Sequence, residues 1–474
     1  MINLKNIKNQ KISDTKLLEA LFYTFPLSFI VGNLIVSMHF LLFIIISLVY
    51  IKKHNLDLRF NKLNFLPTVF FLYIIASTII QFPNIFEVFA ETLNIEEKKI
   101  PLESDPIFKS FLLIRFIILI IIVDTLFFNK ILKFEKIFIF SLFCTSFVSM
   151  DIIIQSIIGY DIFGFPSLEN GTNIKNSGPF GEEHIAGGYI QKFSFISFFS
   201  IYFINLKNKN LNKILLISII VLHAVAILLA GNRMPMILFL FGCFIIIFFV
   251  KNFRFIMFLS IIIFSSIFFI ISANNESIKK SYISFYNDIE IFSDIKKNIN
   301  KTENEKNNEQ LELKSSEKQT VFLRGGHGSI YRTSFYLWKT QPITGYGLKS
   351  FRFKCWEVLT KEKSTNYSCA NHSHNYYFEL LAEAGVFGTV LLLVFFVIIL
   401  KDSFVYLKQS YKKMDLNFYL FSSVFLTFIL EIWPLKSSGS FFTNWNATFF
   451  WIIVSLIISI LYEKNRKLYK KTDS

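Results

Sequence analysis

Phe255-Ile256-Met257-Phe258-Leu259-Ser260-Ile261-Ile262-Ile263-Phe264-Ser265-Ser266-Ile267-Phe268-Phe269-Ile270-Ile271-Ser272 is an uninterrupted stretch without a single charged residue, entered from the cations Lys251 and Arg254. As a helix it would rise about 27 Å at about 1.5 Å per residue, close to the roughly 30 Å hydrocarbon core of a bilayer. Working outward, comparable blocks recur at 14–30, 34–51, 65–82, 109–126, 134–154, 189–206, 213–230, 234–250, 384–400, 416–432 and 446–462. Buried helices of soluble proteins are rarely so long and so evenly repeated. The pattern predicts an all-α polytopic membrane protein with about 12 transmembrane helices and one large extracytoplasmic loop.

Composition agrees. A chain of 474 residues is long enough for three soluble domains, but 53% of it is hydrophobic, only 18% is charged, and Phe alone contributes 60 residues. The division that follows is an N-terminal transmembrane bundle over 1–272, a large loop over 273–383, and C-terminal transmembrane helices with a basic tail over 384–474.

The net charge of +15 would suit a nucleic-acid binder if it formed a groove. It lies instead in short segments between apolar blocks: Lys52, Lys53, Arg59 and Lys62; Lys130, Lys133 and Lys136; Lys207, Lys209 and Lys213; Lys251 and Arg254; Lys401, Lys408, Lys412 and Lys413; and the tail from Lys464 to Lys471. Counting spans alternately from a cytoplasmic N-terminus puts every one of these segments inside, as the positive-inside rule requires. The alternate segments differ in charge: 83–108 carries Glu87, Glu91, Glu96, Glu97 and Glu103, and 155–188 carries Asp161, Glu169, Glu182 and Glu183. Both termini are therefore expected in the cytoplasm, and nucleic acid is excluded as a partner. The first apolar block runs into a second without a small-residue cleavage site, so it reads as an anchor rather than a removable signal.

The loop 273–383 is longer than an ordinary connection, which implies a folded or functional segment. Its Lys296–Lys318 run reads as an exposed helix or as disorder. Tyr331–Gln341 reads as a short amphipathic helix stopped by Pro342, Gly345-Tyr346-Gly347 as a turn, and Asn371–Glu383 as a helix leading into the tenth span. Of four cysteines, Cys144 and Cys243 fall inside spans and read as packing residues, while Cys355 and Cys369 share the loop, where an oxidising compartment would let them pair.

Arg233, in Ala230-Gly231-Asn232-Arg233-Met234-Pro235, stands at the outer end of a span. An arginine there can simply snorkel to the headgroups. Its isolation on the outer side, against the charge rule, favours a ligand, and its planar fork suits phosphate. Arg332 opens the amphipathic helix, preceded by Arg324, Gly325, Gly326, His327 and Gly328, a glycine-rich approach able to present backbone N–H groups to an anion. No Gly-Lys-Ser/Thr ends it, so it is not a P-loop. His372 and His374 at a helix start offer a general base, with Asn375 and Glu379 one turn apart to orient a ring. Two histidines at i and i+2 do not share a helix face, so no metal site is expected. Glu182, Glu183 and His184 precede the sixth span and can bind a sugar or diphosphate or merely cap the helix. His223 and Arg115, inside spans, need partners.

These motifs together resemble the O-antigen ligase and polymerase superfamily of bacterial envelope glycan enzymes. The resemblance is carried by Arg332 with Trp338, by Gln341-Pro342-Ile343-Thr344-Gly345-Tyr346-Gly347, by His374-Asn375, and by Leu380-Leu381-Ala382-Glu383-Ala384-Gly385-Val386-Phe387-Gly388. Asn232 stands where that family more often has a serine. The resemblance implies a bacterial inner-membrane protein whose large loop is periplasmic. It implies an undecaprenyl-diphosphate-linked glycan as donor, and lipid A core or a second lipid-linked glycan as acceptor, distinguishing a ligase from a polymerase. Arg233 and Arg332 would clamp the diphosphate and His374 would serve the acceptor hydroxyl. Asn375, His372, Arg324, His327, Glu182, Glu183, His184, Trp338 and Tyr346 would line the substrate site, with no cofactor. A transporter of lipid-linked sugars would instead line many spans with polar groups.

Overall fold

A computed structural model of the chain describes residues 4–93, 105–170, 173–204, 208–276, 278–280, 283, 327–362 and 367–472. Its helices are α1 (Leu4–Tyr23), α2 (Phe25–Val31), α3 (Asn33–Lys53), α4 (Lys62–Leu93), α5 (Pro106–Phe111), α6 (Ile114–Phe128), α7 (Glu135–Ile158), α8 (Ala186–Phe199), α9 (Ile201–Ile204), α10 (Lys209–Leu229), α11 (Arg233–Phe249), α12 (Arg254–Asn274), α13 (Gly328–Thr340), α14 (Phe351–Glu362), α15 (Tyr376–Ser410), α16 (Leu416–Glu431) and α17 (Asn444–Thr472). Among the described residues, 8 helical segments are long and apolar enough to cross a membrane: Asn33–Lys53, Lys62–Gln81, Pro106–Phe128, Glu135–Ile158, Lys209–Leu229, Lys251–Asn274, Tyr376–Ser410 and Asn444–Glu463. The protein is thus all-α and multi-pass.

That number is lower than the spans counted in the sequence, and the difference has local causes. The other predicted spans coincide with helices that are broken or short. The first is interrupted at Thr24, next to Pro26, which lacks the N–H a continuous helix would need. The sixth is split between α8 and α9 at Ser200. α11 and α16 reach only 17 and 16 residues. An antiparallel hairpin of β1 (Leu168–Asn170) and β2 (Asn173–Lys175), paired Leu168 to Lys175, was not foreseen in the segment before α8.

The centre of the bundle is α17. Its membrane-length part, Asn444–Glu463, is predominantly apolar and 94% buried, as a helix without a broad polar face requires. Trp451 on this helix packs its ring 4.9 Å from Phe71 and 5.1 Å from Phe450. The polar residues predicted inside spans have partners: His223 Nδ1 lies 3.1 Å from Ser194 Oγ, and Arg115 donates to Asn444 Oδ1 at 2.8 Å.

In the large loop, the Lys296–Lys318 run and Arg324, with Gly325 and Gly326, lie outside the described residues. α13 starts at Gly328 rather than Tyr331, and α14 was not anticipated. These helices share a separate small core of Ile330, Leu337, Phe351, Cys355, Val358 and Ala382. Cys355 and Cys369 are joined by a disulfide with Cα atoms 5.3 Å apart, while Cys144 and Cys243 are free and buried.

Candidate functional site

The starts of α8 and α11 are tied together at one end of the bundle. The Gly187 N–H donates to Asn232 Oδ1 and Asn232 Nδ2 donates to the His184 carbonyl, each at 3.1 Å. A side chain at Gly187 would bring its Cβ to 2.7 Å from Asn232 Oδ1, so the approach requires glycine. A carboxamide both accepts and donates across this gap, which gives a physical account of Asn232 where the resembling family favours serine.

Between these helix starts and the segment that joins α16 to α17 opens a cavity of about 700 Å³. Arg233, Glu183, His184 and His327 line it, so the structure brings together residues from three separated stretches that the sequence had singled out. Glu182 is exposed and is not part of the wall. Burial, and to a lesser degree Lys175, lowers the His184 pKa.

His374 reaches this cavity only through His327. Its imidazole stacks on His327 with ring centroids 4.4 Å apart, and the His372 ring lies tilted against it at 4.1 Å. The expectation that His372 points elsewhere on a helix is overturned. Residues 371–375 are not helical, α15 starts at Tyr376, and His374 takes a left-handed backbone with φ 52°. Burial, then His372 and His327, holds the His374 pKa down to about 4. Burial, Lys349, Arg352 and His327 do the same for His372. These rings are neutral near pH 7 and can accept a proton. Ring faces in a stack do not converge on a point, and among the described residues no group of His, Cys, Asp and Glu is arranged to hold a metal.

Asn375 and Glu379 do not orient a histidine ring, as the sequence had suggested. Asn375 caps α15 through Oδ1 to the N–H groups of Tyr377 and Phe378, and its Nδ2 donates to the carbonyls of Pro434 and Lys436. Glu379 accepts from Ser440 Oγ and from the Phe441 N–H. Lys349 donates from Nζ to Ser440 Oγ at 2.7 Å and from its N–H to Glu383 Oε2 at 2.9 Å. The buried network fixes the segment before α17 against the histidine segment, to which the Ser438 N–H adds a bond to the His374 carbonyl at 2.9 Å.

Tyr346 is likewise structural rather than part of the cavity wall. Its N–H donates to the Ala382 carbonyl and the Gly347 N–H to the Glu383 carbonyl, while the N–H groups of Val386 and Phe387 return to Pro342 and Ile343. The two motifs that carried the resemblance, 341–347 and 380–388, are thus the two sides of one backbone clasp. Arg332 and Trp338 sit on α13, outside the cavity lining; Arg332 Nε and Nη1 and Trp338 Nε1 are buried without a hydrogen-bond partner among the described residues. Arg352 Nε and His372 Nε2 are in the same condition.

The sequence reading missed Arg352, and it also missed Lys192 and Lys436, which line the cavity. Lys192 carried a signal, a lone cation inside an apolar block. Lys436 and Arg352 had none, since each looks like an ordinary loop or surface cation.

A family model described as O-Antigen ligase matches residues 216–393, about a third of the chain. The matched stretch carries Arg233, His327, Arg332, His372 and His374, whereas His184, Lys192 and Lys436 lie outside it. No curated protein matches the chain. The protein is therefore a multi-pass membrane protein in which residues 216–393 are similar to O-antigen ligases, consistent with an enzyme of glycan transfer.

Proposed function

We propose that this protein transfers a glycan from undecaprenyl diphosphate to a hydroxyl of the lipid A core at the periplasmic face of the bacterial inner membrane. The observation that carries the reading is the cavity shared by Arg233 and His327, with His374 stacked behind His327. All twelve sequence-derived spans are taken to cross the membrane, with both termini cytoplasmic; the basic segments between spans then lie opposite the cavity end.

The chemistry needs no nucleotide, because the donor brings its own leaving group. The acceptor oxygen attacks the anomeric carbon, the bond from that carbon to the diphosphate oxygen breaks, and undecaprenyl diphosphate departs as an anion. The hydroxyl proton passes to the imidazole of His374 by way of His327, whose ring forms the wall. Attack opposite the leaving group inverts the anomeric carbon and requires no metal. Arg233 in the cavity wall, supported from α13 by Arg332, whose Nε and Nη1 have no partner among the described residues, matches the charge that develops on the diphosphate, a kind of fixed electrostatic support that is worth about 2–4 kcal/mol per donor in other sites.

Purified protein in liposomes, supplied with lipid-linked oligosaccharide and lipid A core and followed by mass analysis, tests this directly. A coupled lipid A product supports the ligase reading. Lengthened lipid-linked chains would replace it with a polymerase, and movement of the lipid without bond formation with a transporter.

A further inference from the structure

Arg233 and the histidines leave a charged group deeper in the same cavity without a role. Lys192 lies on α8 a helical rise of about 9 Å beyond Ala186, and the start of α8 is level with that of α11 through the Gly187–Asn232 bond. The lysine is 4% exposed, and its Nζ sits 2.6 Å from Glu431 Oε1. The other oxygen of the same carboxylate takes Lys436 Nζ at 2.9 Å. One buried carboxylate therefore serves two buried lysine side chains. Aromatic faces stand near both: Lys192 Nζ is 4.7 Å from the Phe449 ring and Lys436 Nζ 5.3 Å from that of Tyr376.

The arrangement is directional. Lys192 and Lys436 line the cavity, whereas Glu431 is not in its wall and stands behind them. A purely structural ion pair would need one lysine, since a second buried cation is unfavourable unless a further anion meets it. Glu431 can neutralise only one of the two lysines, and the open side of both is the cavity. Leu228, Pro235, Ile237 and Leu238 supply apolar wall to the same space, which suits a phosphoryl group attached to a hydrocarbon chain.

We propose that Lys192 and Lys436, backed by Glu431, form a second anion-binding level on the membrane-ward floor of the cavity, which takes the phosphoryl group nearest the lipid chain of the donor. This rests on the lipid-diphosphate reading above and assigns Arg233 to the phosphoryl group nearest the sugar. An anionic phospholipid headgroup offers the same phosphoryl oxygens, so the test separates the two sources.

The full chain in phosphatidylcholine nanodiscs is titrated with undecaprenyl phosphate, undecaprenyl diphosphate and phosphatidylglycerol. Lys192→Met and Lys436→Met are each expected to weaken undecaprenyl phosphate binding by about tenfold or more, the usual scale for a lost bond to a charged group. Arg233→Lys should weaken the diphosphate while changing the monophosphate by less than a factor of about two. Each single lysine variant leaves Glu431 paired with the other lysine, so folding is expected to survive; Lys192→Gln and Lys436→Gln, which keep a donor to Glu431, replace any methionine variant that does not fold. Unchanged monophosphate affinity in the folded lysine variants overturns the floor site alone. Equal binding of phosphatidylglycerol overturns the donor assignment in favour of a structural lipid. Failure of the unsubstituted protein to bind either polyprenyl lipid overturns the donor reading itself, and the floor site with it.

Discussion

The imidazole of His374 stacks on that of His327 with ring centroids 4.4 Å apart, and only His327 lines the cavity that Arg233 enters. The two histidines come from different sides of α13 and α14, so their contact depends on the loop being folded. His374 holds a positive φ of 52°, a conformation that costs a non-glycine residue about 1 kcal/mol or more. The surrounding bonds, Ser438 N–H to its carbonyl and Asn375 to the carbonyls of Pro434 and Lys436, over-determine it.

That relationship predicts an unequal triad. His374→Ala and His327→Ala should each lower glycan transfer by about 10²–10⁴ while leaving donor binding near the unsubstituted value. His372→Ala, one ring further from the cavity, should cost less than about 10-fold. Single-turnover transfer beside donor binding distinguishes the two effects; wild-type transfer by both His327→Ala and His374→Ala would remove the histidines from the chemistry.

The pH dependence follows from the same burial. His374 has its pKa held down to about 4, below the ordinary histidine range near 6.5. The base is therefore neutral at pH 7 and stays so well into mild acid. Transfer should be nearly flat from pH 7 to about 5.5 and fall only as pH approaches 4. Stability has the same sign: between the folded value and about 6.5 the unfolded chain binds more protons, so acidification through that window destabilises the fold. A transfer profile with a midpoint near 6.5 would show that the working base is a solvated histidine elsewhere.

The arginines are tested by keeping charge and removing shape. Arg233→Lys and Arg332→Lys retain a cation but lose the planar fork that can hold two phosphate oxygens. Each should lower transfer by about 10–100-fold, beyond any change in protein level. Wild-type rates in both variants would return Arg233 to anchoring at the membrane surface and leave the orphaned Arg332 nitrogens without a functional reading.

What the sequence made legible, and what it did not, divides along physical lines. A hydrophobic block declares its own burial, so the helices appeared where the sequence put them, and Arg233 stood out because a lone cation there opposes the charge rule. Chain breaks were harder: nothing in a composition window marks Ser200 as the end of α8. The histidine segment was misread because Asn375, an N-cap, looks in sequence like any polar residue inside a helix, so α15 was started too early and His372 was turned away from His374. Tyr346 resembles a ligand residue in sequence because a turn flanked by glycines looks like a binding loop. Only the backbone pairing of 342–347 with 382–387 reveals it as half of a clasp.

That clasp gives the last prediction. Gly385 interrupts α15 with φ 64° and ψ −172°, a region that essentially only glycine occupies. The interruption turns the chain so that Val386 and Phe387 donate to Pro342 and Ile343, at 2.8 and 3.3 Å, while Ala382 and Glu383 accept from Tyr346 and Gly347, at 3.0 and 2.9 Å. Opposite it, Gly345 has φ 64°, and a Cβ there would stand 2.5 Å from the Glu383 carbonyl carbon and the Gly385 nitrogen. Backbone meets backbone, so neither neighbour can rotate away. The Tyr73 hydroxyl, from α4, donates to the Ala384 carbonyl at 2.9 Å and extends the clasp into the bundle. Gly385→Ala and Gly345→Ala should each destabilise the protein by about 3 kcal/mol or more, the first through a glycine-only backbone region and both through a Cβ driven into facing backbone with the loss of several bonds. Gly164→Ala is the comparison: its φ is 89° but nothing lies within 4 Å, so the backbone cost of about 1–2 kcal/mol stands alone. Denaturation in detergent, read by protease cutting between α14 and α15, should therefore rank Gly385→Ala and Gly345→Ala well below Gly164→Ala. The histidines ride on this connection, so transfer should fall in the clasp variants even at temperatures where the bundle is intact. Equal stability of all three variants would mean that the loop is held to the bundle by the buried Lys349, Glu379 and Ser440 network instead.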